Sequence, residues 1–261
     1  FPPVEGSSMY IKPGETLTVS DLLYGMMLAS GNDAAVALAR YVSGSVEAFA
    51  DLMNVRAEAL GCTNSHFVNP NGLDAEGHYS TARDLAVIAR EALNNETFKM
   101  IVSTKYMSAA GRSLKNHNKL LWNCPGTVGV KTGYTESAGR SLVSSCERDG
   151  MRLICVTLND PDDWKDHTSL YDWAYGHYSV VKVLRDNETF GTIPVVSGLE
   201  NKVPVQAAED YAALCQKSDE VAIVVEAPQF VYAPAQAGRR VGVINVTVNG
   251  ETVKTIQLVY G

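Results

Sequence analysis

The sequence predicts an α/β (α+β) chain in two parts, and three observations carry that reading. Helical patterns fill roughly the first third of the chain. Short β-branched runs begin near residue 126, and a further helical pattern follows them. From about residue 186 onward only strand and turn patterns remain. A mixed domain over residues 1–185 and a small all-β domain over 186–261 are expected.

Residues 16–42 read as two helices. Asp21 is a candidate cap for the first, whose apolar face is Leu22, Leu23, Met26 and Met27. The polar break Ser30-Gly31-Asn32-Asp33 follows, and Ala34–Tyr41 resumes with strong helix formers. Val46–Leu60 is a third helix, with Phe49, Leu52, Met53 and Leu60 at helical spacing and Gly61 as its stop. Asn69-Pro70-Asn71-Gly72 is turn chemistry. Thr81–Leu93 is a fourth helix, opened by a Thr81/Asp84 capping box. Strands are expected at Thr127–Lys131, Ser141–Cys146 and Arg152–Leu158, with a turn at Arg148-Asp149-Gly150. A long helix from about Asp166 to Lys182 closes the first part. Five tail segments, at 191–196, 202–205, 221–225, 242–248 and 252–259, alternate and are separated by Gly, Pro or Asn; Asn249-Gly250 marks a hairpin. No internal repeat or low-complexity segment occurs.

Apolar residues make up 46% of the 261 and charged residues 20%, which suits a packed globular core and argues against disorder. The formal net charge is −7, and no run of Lys or Arg occurs, so a nucleic-acid partner is not expected. No stretch is long and apolar enough to span a bilayer. The opening Phe1-Pro2-Pro3-Val4-Glu5 has no charged region followed by an apolar run, so no signal peptide is read there. Cys62, Cys124, Cys146, Cys155 and Cys215 form no Cys-x-x-Cys pair, which makes zinc-ribbon and redox motifs poor readings. His66, His78, His117, His167 and His177 lack metal-ligand spacing, so neither a metal nor a cofactor is expected.

Two triplets carry chemistry. Lys131-Thr132-Gly133 is placed at the end of the apolar strand Val128-Gly129-Val130, before a turn. There Lys131 supplies positive charge, Thr132 a hydroxyl, and Gly133 room for a ligand backbone. Ser30-Gly31-Asn32 sits between two helices, where a short polar loop projects a hydroxyl and an amide into a cleft. Taken singly, either triplet is an ordinary surface feature. Lys-Thr-Gly with a Ser-x-Asn loop upstream belongs to the signature of penicillin-binding proteins and class A β-lactamases.

The flanks sharpen this. Gly6-Ser7-Ser8-Met9-Tyr10, Leu22-Leu23-Tyr24-Gly25-Met26-Met27, Ser30-Gly31-Asn32-Asp33-Ala34-Ala35, His66-Phe67-Val68-Asn69-Pro70-Asn71-Gly72-Leu73 and Gly129-Val130-Lys131-Thr132-Gly133-Tyr134-Thr135 resemble the low-molecular-mass, serine-type D-alanyl-D-alanine carboxypeptidases. The resemblance covers essentially the whole chain, β-rich tail included. It implies a β-lactamase/transpeptidase-like domain, an antiparallel sheet flanked by helices, followed by a β-sandwich-like one. It also implies acyl transfer on peptidoglycan stem peptides, with β-lactam antibiotics as substrate mimics that stall at the acyl stage. Ser30 would relay a proton to the leaving group. Asn32 would hold the substrate's amide, and Lys131 with Thr132 the terminal carboxylate. Gly133 and Tyr134 would line the substrate groove, Tyr134 as a wall unless it merely packs. The family works outside the cytoplasmic membrane, often held there by a C-terminal amphipathic helix; no such segment occurs up to Gly261.

The family's nucleophile lies upstream, in Ser-x-x-Lys at a helix start, where the lysine activates the serine. Only Ser179-Val180-Val181-Lys182 has that spacing. It follows Lys-Thr-Gly and is placed in the closing helix, so both order and place are wrong. Phe1–Glu5 resembles the stretch just before the family's Gly-Ser-Ser-Met-Tyr segment. The chain is therefore expected to begin downstream of the nucleophile, to form no acyl-enzyme by itself, and to expose apolar surface that promotes instability or association.

Two other readings stand beside this one. A class A-like β-lactamase needs a glutamate in Glu-x-x-Leu-Asn; Leu93-Asn94 occurs, but Arg90 holds the required position and Glu91 is one residue out of register. A non-catalytic sensor or scaffold on the same fold is the third reading. Lys165 and Arg140 are further candidates for the cleft border, and Cys146 with Cys155 for a disulfide in an exported protein.

Overall fold

The structure, a computed structural model, describes residues 4–261. The resemblance noted for Phe1–Glu5 lies partly outside the described residues. Two compact units emerge: the chain up to Arg148 together with Arg152–Trp173, and Asp149–Met151 together with Ala174–Gly261.

The first unit opens with three helices, α1 (Val19–Leu28), α2 (Asn32–Ser43) and α3 (Val46–Ala59). Thr18, not Asp21, is the cap of α1. Asp21 N–H donates to Thr18 Oγ1 at 3.0 Å and Thr18 N–H to Asp21 Oδ2 at 3.1 Å, so Asp21 is the third helical residue of a reciprocal box. The polar break is shorter than expected, because α2 already begins at Asn32 with Gly31 as its cap. α4 (Ala82–Ala92) starts from Thr81, whose hydroxyl accepts Asp84 N–H at 3.1 Å. The return half of the expected box is not made: Asp84 Oδ2 instead accepts Asn64 N–H at 3.0 Å and the Ser65 hydroxyl at 2.7 Å.

A segment without strong sequence periodicity then supplies α5 (Glu96–Ser103), the hairpin β1 (Tyr106–Ala109) and β2 (Arg112–Lys115), and the short α6 (Leu120–Asn123). The main sheet of the unit is β3 (Thr127–Thr135), β4 (Gly139–Arg148) and β5 (Met151–Thr157), in the order β3-β4-β5, with β3 and β4 antiparallel. Lys131-Thr132-Gly133 therefore lies within a nine-residue strand rather than at its end. Val130 packs with Leu93 and Val102. Gly129 makes the close approach of α5 possible, since a Cβ there would lie 2.7 Å from Val102 Cγ2.

α7 (Asp163–His177) is followed directly by strand β6 (Tyr178–Leu184), where a continuous helix to Lys182 was expected. The β-branched run Val180-Val181-Lys182-Val183 favours extended backbone, and β6 pairs antiparallel with β9 (Tyr211–Gln216). The second unit also holds β7 (Thr189–Val196), β8 (Lys202–Ala207), β10 (Val221–Glu226), β11 (Val231–Tyr232), β12 (Arg240–Val248) and β13 (Glu251–Tyr260). These form a six-stranded sheet, β10-β12-β13-β8-β7-β11. Its core is Ile193, Val205, Ala207, Ile244, Val246, Ile256 and Leu258, joined by Leu184 from β6. Asn249 (φ 50°) and Gly250 (φ 84°) make the tight turn between β12 and β13.

The disulfide expected between Cys146 and Cys155 is not formed. Cys146 Sγ instead points at Pro125 O, 3.3 Å away. No described helix is long and apolar enough to cross a membrane.

Candidate active site

Ser30 leaves α1 with φ of 54°, the left-handed conformation that ends many helices but is costly for a residue with a Cβ. Gly31 N–H donates back to Gly25 O at 3.0 Å, closing the turn. The start of α2 is strapped to an upstream segment by Asp33, a buried side chain that sequence reasoning left without a role. Its carboxylate accepts Met9 N–H at 3.0 Å, Ile11 N–H at 3.0 Å, Ala34 N–H at 2.9 Å and the Ser8 hydroxyl at 2.7 Å. Burial works to raise this carboxyl's pKa, but the donors outweigh burial and hold it below the usual range. Met9 is buried against Gly25, where any Cβ would collide with Met9 Sδ. Asn32 N–H donates to Ser7 O at 2.8 Å, and Asn32 Nδ2 donates to Glu5 O at 2.7 Å. The loop is thus held from both sides by residues 5–11.

Lys131 reaches Ser30 from β3: its Nζ donates to Ser30 Oγ, and also to Thr132 O at 2.7 Å. Desolvation lowers the Lys131 ammonium from its usual value near 10.5 to about 8. His117, between β2 and α6, donates its N–H to Leu28 O at 3.2 Å. Burial, and then the charge of Lys131, push the His117 imidazole below its usual pKa. Sequence reasoning had noted this histidine only for metal spacing; no local signal marked it.

Ser30, Asn32, Lys131, Thr132, Gly133 and Tyr134 all line one cleft of about 1340 Å³. Tyr134 is 70% exposed, so it stands in the cleft wall rather than in a core. Arg140 also lines the cleft, but its charge is matched: Nη2 contacts Asp163 Oδ1 at 2.6 Å and Oδ2 at 2.9 Å, and the guanidinium lies over the Trp164 ring at 5.5 Å. Lys165 is not among the lining residues. Glu91 pairs with Arg56 and is likewise absent from the lining. Ser179 and Lys182 both lie on β6, where three-residue spacing puts side chains on opposite faces. Among the described residues, no group of three or more His, Cys, Asp or Glu is placed to hold a metal ion.

A family model described as D-alanyl-D-alanine carboxypeptidase matches residues 3–162, and one described as the C-terminal domain of penicillin-binding protein 5 matches 178–261. The chain belongs to the D-alanyl-D-alanine carboxypeptidase family. It is 34% identical to the D-alanyl-D-alanine carboxypeptidase DacF of Bacillus subtilis over 259 residues, 95% of this chain and 67% of the relative. It is 34% identical to DacC of Escherichia coli over 268 residues, 99% of this chain and 67% of the relative. The chain thus spans about two thirds of the length of these curated relatives. The crystal structure of penicillin binding protein 5 from Haemophilus influenzae superposes with a TM-score of 0.74 at 30% identity, covering 98% of this chain and 77% of that one. The α/β penicillin-binding fold with its all-β C-terminal domain is therefore established for this family member.

Proposed function

We propose that this family member is a serine-type D-Ala-D-Ala carboxypeptidase. It removes the terminal D-alanine of peptidoglycan stem peptides outside the cytoplasm, and β-lactams acylate it as substrate mimics. The observation that carries the reading is the meeting of Ser30 Oγ with a desolvated Lys131 Nζ, from elements 101 residues apart, on one cleft.

In this mechanism a serine oxygen attacks the carbonyl between the two D-alanines. The C–N bond breaks, the leaving amine takes a proton, and water later cleaves the acyl ester. Ser30, hydrogen-bonded to Lys131, relays the proton to the amine. Lys131 and Thr132 hold the terminal carboxylate, and burial strengthens that attraction. Asn32 Nδ2 already donates to Glu5 O, which leaves its Oδ1 and second N–H for the substrate amide. β3 is the outer strand of its sheet, so a peptide laid along it finds unpaired backbone groups, with Gly133 allowing close approach and Tyr134 as a wall. Domains over 1–185 and 186–261 divide the labour, with the acyl site in the first.

Residues 1–261 place no Ser-x-x-Lys on this cleft, so the reading requires a nucleophilic serine that these residues do not supply. Glu91, spent on Arg56, supports the carboxypeptidase over a class A-like β-lactamase. The test is to label the full-length protein and the 261-residue chain with a fluorescent penicillin and to map the adduct by mass spectrometry. Labelling confined to the full-length protein, on a serine outside residues 1–261, is expected. An adduct on Ser30 or Ser179 overturns the assigned roles, and no adduct on either protein favours a sensor or scaffold.

A further inference from the structure

Residues 97–135 carry Lys99, Lys105, Arg112, Lys115, Lys119 and Lys131 and not one Asp or Glu. This is the opposite of the chain as a whole, whose formal net charge is −7. Three of the six cations have assigned partners: Lys99 pairs with Glu147 at 2.8 Å, Arg112 with Glu15 at 2.7 Å, and Lys131 meets Ser30. Among the described residues, Lys105, Lys115 and Lys119 make no ion pair with any carboxylate.

Two of these, Lys105 and Lys115, gather around two aromatic rings. Lys105 Nζ lies 5.8 Å and Lys115 Nζ 5.6 Å from the centroid of the Trp122 ring, and Lys115 Nζ is 5.9 Å from that of Tyr106. The two rings meet edge-on, 5.6 Å between centroids, and both stay partly open to solvent. An aromatic face within about 6 Å attracts an ammonium and restricts where it sits. Two like charges held at one indole repel each other, and an anion between them relieves that repulsion.

Tyr106, Lys115, Lys119 and Trp122 line the same cleft as Ser30 and Lys131. The connection is short: Lys115 is followed by Asn116 and by His117, whose N–H binds the end of α1 and whose ring feels Lys131. We propose that this edge of the cleft is a second subsite, which holds a carboxylate carried by the acyl-donor peptide on the N-terminal side of the bond to be cut. Lys115, on the cleft, grips the carboxylate; Lys105, over the same indole, and Lys119 add positive potential, and the exposed Tyr106 ring covers the adjoining aliphatic chain. The inference rests on the acyl-transfer reading of the cleft and adds a substrate preference to it.

The test uses the full-length protein and two soluble peptides that both end in D-alanyl-D-alanine. One carries a γ-linked D-glutamyl residue with a free α-carboxylate; in the other that carboxylate is amidated. The wild-type protein is expected to favour the acid by about threefold to tenfold in kcat/KM, mainly through KM. That preference shrinks in about 0.5 M salt. It disappears in the Lys105→Gln/Lys115→Gln variant and persists in Lys105→Arg/Lys115→Arg. Equal use of the two peptides by the wild type, or a preference that survives the glutamines, overturns the subsite. If the wild type cleaves neither peptide, the acyl-transfer reading fails instead. The subsite is then judged by equilibrium binding of the same acid and amide peptides without their D-alanines: binding of the acid that weakens only in the glutamine variant supports it, and equal binding of acid and amide overturns it.

Discussion

Ser30 and Ser144 each lie against a basic side chain, but their surroundings differ in every other respect. Ser30 sits in strained backbone on an open cleft, touching a lysine that burial has partly stripped of its preference for charge. Ser144 Oγ is 2.7 Å from His167 Nδ1 and 2.6 Å from Tyr171 Oη, and His167 Nε2 is 3.1 Å from Thr157 Oγ1. By distance alone, Ser144 and His167 would also pass for a serine–base pair. Both are 0% exposed, however, and neither lines the cleft. Access separates them: the closed network satisfies its polar groups internally, which fastens β4 and β5 to α7, whereas the open pair leaves donors aimed at a space that a substrate can enter. Substitutions in the first place should remove activity and spare the fold; in the second they should do the reverse.

The largest expected effect is at Lys131. Lys131→Met should cut penicillin acylation by the full-length protein about 100- to 1,000-fold, the usual cost of removing a donor aimed at developing charge. It should also raise Tm, because the folded state no longer has to desolvate an ammonium. A fall in Tm that matches the loss of acylation would place Lys131 with the structural network. The pH profile sharpens the point. Lys131 is protonated below about 8, so the wild-type rate should fall as pH rises through about 8, and Lys131→Arg should move that limb upward.

At the closed network the expected effect is on stability. His167→Leu deprives Ser144 and Thr157 of the ring nitrogens they meet, which should cost about 2–4 kcal/mol and lower Tm by roughly 5–10 °C. Acylation by the remaining folded protein should stay near the wild-type rate. The wild type carries a pH signature as well. Burial lowers His167 from 6.5 to about 4, with Asp163 and Asp160 pulling the other way. A depressed pKa means that the unfolded chain takes the proton first as pH falls. Stability is therefore full above pH 6.5 and declines by about 3 kcal/mol by pH 4, with a slope absent from His167→Leu. Denaturant midpoints at pH 7 and pH 5 for both proteins test this; equal pH dependence would remove the histidine from the account.

What the sequence revealed divides along the same line. Ser30-Gly31-Asn32 and Lys131-Thr132-Gly133 were legible because each is a contiguous string, and the Asn249-Gly250 turn because its chemistry is local. Asp33 was not, since its importance lies in Ser8, Met9 and Ile11, more than twenty residues away. His117 was invisible for the same reason. β1 and β2 were missed because the turn between them, Ala110 and Gly111 at φ of 48° and 71°, places an alanine where glycine or asparagine is the usual signal. β6 was legible in Val180, Val181 and Val183, but the helical pattern before it hid the break after His177. Local chemistry was readable; long-range straps and abrupt changes of period were not.

The smallest effect isolates the backbone at Ser30. Ser30→Ala removes the hydroxyl that Lys131 contacts and keeps a Cβ at φ of 54°. Ser30→Gly removes the same hydroxyl and the Cβ as well. Lost hydrogen bonding is common to both variants, so their difference reports the left-handed backbone alone. The glycine variant should be the more stable by about 1 kcal/mol, or roughly 2–4 °C in Tm, although glycine also gives the unfolded chain more freedom. Both should lose acylation to a similar degree, because the hydroxyl and not the backbone carries the proposed proton relay. If alanine and glycine prove equally stable, the turn after α1 holds no strain and Ser30 owes its position to the Gly31–Gly25 bond alone. If glycine acylates much more slowly than alanine, the conformation held by the Cβ matters to the chemistry, and the open pair depends on its scaffold as closely as Ser144 does.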